Sequence, residues 1–119
     1  MHGNDVDFSW RARLAGWRVV HAAAARVFHD KRLTAAGTVA PSEVEEEHGA
    51  RAALLLAFTY SRPDVLARYF DIIDAGSPAQ RRGAAGVREL LARGPLPALR
   101  DPGREVAEFV EGDFAHHRF

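Results

Sequence analysis

The sequence predicts an α+β fragment that is mostly α: one helix, a short β-ribbon, then three to four helices. Three observations lead to this reading. Apolar residues at helical spacing, in stretches opened by capping patterns, fill most of the chain beyond residue 41. The β-prone runs are confined to 17–29. Proline and glycine then cut the rest into helix-sized pieces at Pro63, Gly76, Pro78 and Gly94.

The first element is a short helix carrying Val6, Phe8, Trp10, Leu14 and Trp17, apolar on more than one side and so expected to be buried. Asp5 and Asp7 fall in its first turn, where carboxylates interact favourably with the helix dipole. Asp7 and Arg11 form an i,i+4 pair, most simply an ion pair on the helix surface, and Gly16 ends the element. Trp17, Val19 and Val20 make one β-prone run and Arg26-Val27-Phe28-His29 another. The alanines at 22–25 between them assign to neither state. A lone two-stranded ribbon is marginal in water, so 1–30 reads as the edge of a sheet whose remainder lies elsewhere.

Residues 30–41 form a loop. Ser42-Glu43-Val44-Glu45 is a capping-box pattern that opens a helix over 42–60, and Pro63 breaks it. A second long helix spans 63–75, with Val65, Leu66, Tyr69, Phe70, Ile72 and Ile73 on its apolar side. Ser77-Pro78 opens a third, which ends at Gly94. Pro95, Pro97 and Pro102 mark a linker, and 104–114 is a last amphipathic segment.

Composition narrows the function. Sixteen basic residues balance sixteen acidic ones in 119 residues, against the basic excess expected of a nucleic-acid binder. The absence of cysteine excludes a disulfide scaffold, a thiolate zinc site and a cysteine nucleophile. The longest apolar run, 52–58, is seven residues, far short of the roughly 20 that span a bilayer. Charges at Asp5, Asp7, Arg11 and Arg13 interrupt the N-terminus before a signal-peptide core can form. The expectation is a soluble, cytoplasmic chain.

The segment that carries chemistry is His2-Gly3-Asn4-Asp5-Val6-Asp7-Phe8-Ser9-Trp10-Arg11-Ala12-Arg13-Leu14-Ala15-Gly16-Trp17-Arg18-Val19. It resembles the block of family 2 glycosyltransferases in which an acidic pair and a further aspartate precede an arginine, then leucine, glycine, an aromatic residue and a short strand. Arg26-Val27-Phe28-His29 resembles the strand those enzymes place next, with His29 lying 24 residues after Asp5. That spacing is similar to the galactofuranosyl- and rhamnosyltransferase-like branches. The resemblance covers roughly residues 1–60. It implies that 1–40 is the end of a GT-A-like catalytic domain and 41–119 a helical C-terminal region, the nucleotide-binding half being absent.

The resemblance also assigns roles. Asp5 matches the general base that takes the acceptor hydroxyl's proton, and a single in-line displacement inverts the anomeric carbon. His29 matches a ligand of a divalent metal, Mn2+ or Mg2+, whose other ligands come from the missing half and which neutralises the departing phosphates. Asn4 and Trp10 fall on the acceptor side. Asn4 stands where the family usually has an acidic residue, so it can hydrogen-bond a hydroxyl but not share the proton transfer. The implied partners are a nucleotide-sugar donor and a glycan or glycolipid acceptor, and the full enzyme would be cytoplasmic or peripheral at the inner membrane face. The isolated chain is expected to be inactive and, with an open sheet edge, to self-associate.

Plainer readings stand beside these. Spacing alone favours Asp5 as a helix N-terminal carboxylate, His29 as structural, and Trp10 and Trp17 as core. Glu43, Glu45, Glu46 and Glu47 read as a solvated helix start, His48 has no ligand-pair spacing, and His116-His117 reads as a frayed tail. The competing functions are a non-catalytic helical module docking a partner through 44–60 and 63–75, and a regulatory domain with a degenerate transferase motif.

Overall fold

A computed structural model describes residues 3–26, 35, 37, 41–96 and 101. Its helices run in the order α1 (Asn4–Leu14), α2 (Glu43–Tyr60), α3 (Pro63–Asp74) and α4 (Pro78–Ala92). Each long helix starts where its local chemistry demands. Ser42 caps α2 with a full capping box: its hydroxyl accepts from the Glu45 amide while the Glu45 carboxylate accepts from the Ser42 amide. Ser77 and Gln80 repeat the device at α4, with Pro78 in the first turn. Between α2 and α3 the backbone at Ser61 and Arg62 is extended, as the residue before Pro63 must be.

The core is one cluster built around α2. Leu54, Ala57 and Tyr60 from α2 meet Val65, Tyr69 and Ile73 from α3 and Ala84 and Val87 from α4. Helices α2 and α4 pack most extensively, and a small residue lets them do so. A Cβ on Gly83 would sit 2.5 Å from the Glu47 carbonyl oxygen and 3.1 Å from the Ala50 Cβ, so only glycine fits at this approach. Ion pairs lace the rim: Arg82 bridges Glu43 and Glu47 at 2.9 and 3.0 Å, and Arg88 pairs with Asp74 while lying over the Phe70 ring.

The mostly helical expectation holds, and 42–60, 63–75 and 77–94 match α2, α3 and α4 within a residue or two. The ribbon is not seen among the described residues, in which no strand occurs. Trp17, Val19 and Val20 lie in irregular chain and are 73, 56 and 69% exposed, so Trp17 is not the core residue its spacing suggests. A strand needs a row of partner amides and a covered face, and the described residues supply neither to 17–22. Residues 27–29 of the second run lie outside the described residues, as does 104–114. The alanines resolve into a turn, closed by the Ala25 amide donating to the Ala22 carbonyl at 2.9 Å.

Candidate functional site

The site is the N-terminal end of α1 and the turn that follows it. Gly3 caps the helix at φ 76°, a conformation that favours glycine, and it lies close against α2. A Cβ there would come within 3.1 Å of Leu56 Cδ1 and 3.4 Å of Ala52 Cβ. At the other end, the Gly16 amide donates to the Arg13 carbonyl and the Trp17 amide to the Ala12 carbonyl, both at 2.9 Å, with Gly16 at φ 84°. That pair of bonds is a Schellman motif, and it reverses the chain where the sequence placed the helix end.

The two carboxylates of the first turn part company. Asp7 is tied down: Arg11 pairs with it at 2.8 Å, and the Tyr60 hydroxyl donates to its Oδ1 at 2.6 Å. The surface ion pair expected from spacing is therefore also a link between helices. Tyr60 is buried, and burial first, then its bond to the Asp7 carboxylate, pushes the phenol up to about 12. The same carboxylate raises Arg11 further. Asp5, by contrast, is exposed, and its carboxylate takes no partner among the described residues. Ser9 donates to the Asp5 backbone carbonyl at 2.7 Å and leaves the carboxylate open.

Asn4 is exposed beside Asp5. Trp10 is only 7% exposed and meets Tyr60 edge-on, ring centroids 5.0 Å apart. It offers no face to a stacking acceptor; it seats α1 on α2. Helical periodicity puts Asp5 and Phe8 on one side of α1, roughly opposite Trp10, and Phe8 is exposed. His29 lies outside the described residues, so its position relative to Asp5 is not part of this geometry. No group of three or more metal-ligating side chains occurs among the described residues. The described residues do not by themselves make a divalent-metal site.

The arrangement presents one open carboxylate on a helix start, with an amide side chain next to it and a second carboxylate held in the scaffold. A carboxylate is the kind of group that can accept a hydroxyl proton when the hydroxyl is held within hydrogen-bond reach. Tyr60, which binds Asp7, carries no local sequence signal: it sits 53 residues from Asp7. No helix among the described residues is long and apolar enough to cross a membrane. Comparison with protein-family models, curated proteins and solved structures gave no match for this chain.

Proposed function

We propose that this chain is the acceptor-side portion of an inverting glycosyltransferase, with Asp5 as general base. The observation that carries the reading is the division of labour between the two aspartates of the family-like block. Asp7 is used up in holding α1 to α2, and Asp5 is left open beside Asn4. In the reaction, the Asp5 carboxylate takes the proton of an acceptor hydroxyl as that oxygen bonds to the anomeric carbon. The bond from that carbon to the nucleoside diphosphate breaks, and the diphosphate leaves with the electron pair. Asn4 hydrogen-bonds the acceptor, and Trp10 and Tyr60 position the helix. A nucleotide-sugar-binding half is needed to supply the donor, and His29 remains the metal ligand that the resemblance implies.

The docking-module alternative draws on the apolar faces of 44–60 and 63–75. Those faces are largely spent on each other, with Leu54, Ala57, Val65, Tyr69 and Ile73 buried in the shared core. The test is release of nucleoside diphosphate by the chain assembled with a nucleotide-sugar-binding half. Asp5→Asn should lower turnover about 10²–10⁴-fold with donor affinity unchanged. Near-normal turnover by this variant in a folded, donor-binding assembly would remove Asp5 from the mechanism.

A further inference from the structure

We propose that the turn after α1 is a membrane-surface binding site that takes anionic phospholipid headgroups and the outer acyl region of a bilayer. Charge is the first observation. Residues 8–29 contain Arg11, Arg13, Arg18 and Arg26 and no Asp or Glu, which leaves the remainder of this neutral chain net acidic by four. Arg11 is neutralised by Asp7. Arg18 and Arg26 are exposed and pair with no carboxylate among the described residues.

The second observation is apolar and lies in the same stretch. Arg13, Gly16, Trp17, Arg18, Val19 and Val20 line one shallow, open cleft. Trp17, Val19 and Val20 are mostly exposed and adjoin one another along the chain. A tryptophan and two aliphatic side chains beside arginines match an anionic interface chemically. The indole sits at headgroup depth, the aliphatics reach below it, and each arginine near the surface adds about 1 kcal/mol. A second copy of the chain fits less well, because its like-charged strip would repel this one. Nucleic acid would meet the arginines but has no complement for Val19 and Val20.

The chain carries its own reporter. It has two tryptophans, Trp10 buried and Trp17 exposed, so an environmental change at the cleft reads out through Trp17. The experiment mixes the full chain with vesicles of phosphatidylglycerol and phosphatidylcholine, and separately of phosphatidylcholine alone, at low and high salt. Co-sedimentation and a blue-shifted Trp17 emission with the anionic vesicles, weakened by salt, are expected. Replacing both Arg18 and Arg26 by Ala should lower partitioning about 30-fold, from about 1 kcal/mol per arginine and tenfold per 1.4 kcal/mol. Val19→Asp should abolish the blue shift. These side chains are exposed, so circular dichroism of every variant should match the parent. Absence of sedimentation with anionic vesicles overturns the proposal, as does equal binding to phosphatidylcholine alone or parental binding by the arginine variant. A Trp17 response to a single-stranded oligonucleotide, or to concentration-dependent dimerisation, without vesicle binding also overturns it. Asp5→Asn should leave vesicle binding unchanged, so failure here is separable from failure of the transferase reading.

Discussion

The α2–α3–α4 unit and the α1 arm are built on different principles. In the first, α2 and α4 start in capping boxes, α3 starts at Pro63 without a side-chain cap, and all three share one core, so many independent contacts hold each element. In the arm, α1 joins that core through Trp10 alone, with Val6 and Leu14 packed against it, and is further held by Gly3 against Leu56 and Ala52 and by the Tyr60–Asp7–Arg11 chain. Beyond it, 17–26 is exposed throughout. The lesson is that the same chain contains a bundle held by many contacts and an arm held by few, and the candidate chemistry is on the arm. Segments that carry function are commonly drawn from the less stable end of a structure.

Breaking the bundle should have the largest effect. Leu54 is fully buried at the centre of α2, and Leu54→Ala should destabilise by about 2–5 kcal/mol, read as a lowered thermal midpoint. Trp17→Ala, on the exposed arm, should stay within about 0.5 kcal/mol of the parent despite deleting a larger side chain. Equal losses from the two would erase the contrast.

Cutting the anchor comes next. Tyr60→Phe removes the hydrogen bond to the Asp7 carboxylate and should cost about 1.5–3 kcal/mol. Hydrogen exchange should quicken in α1 and leave α2–α4 protected; uniform acceleration would mean that the arm and the bundle open together. The anchor also sets an alkaline limit. The phenol is raised from 10.0 to about 12, so the unfolded chain ionises at this residue before the folded one does. The neutral phenol's contribution is complete below pH 10 and is lost as pH rises to about 12. This alkaline loss should be absent from Tyr60→Phe, which a pH series of denaturant midpoints would show.

Smaller effects sharpen the comparison. Ser77→Ala removes the cap of α4 and the hydroxyl that donates to Glu46, and should cost about 1 kcal/mol in a denaturant midpoint. Arg82→Ala breaks two exposed ion pairs with Glu43 and Glu47 and should cost about 0.2–1 kcal/mol, diminishing with salt.

The bundle was legible because its signals are short-range. Ser42 with Glu45, Ser77 with Gln80, and prolines at helix starts act within one turn, so reading them needs no knowledge of the rest of the fold. The same holds at Gly16, where a six-residue motif stops α1. The candidate site was legible only in outline. Spacing put Asp5 and Asp7 in one turn and paired Asp7 with Arg11, yet nothing local shows that Tyr60 also binds Asp7. Trp17 stays exposed because apolar spacing signals a wish for burial, whereas burial itself requires a surface to bury against.

What the sequence determined by itself, then, is where helices begin and end, since caps, prolines and i,i+4 pairs act over a few residues of backbone. Tertiary structure alone decided three things. Tyr60 reaches back 53 residues to bind Asp7 and so ties α1 to α2. Gly83 allows α4 to approach α2 until a Cβ would strike the Glu47 carbonyl. Trp10 goes under α1 while Trp17 stays outside it. Each depends on which surfaces meet after the chain has folded back on itself, and residues distant in sequence acquire their energies only from that meeting.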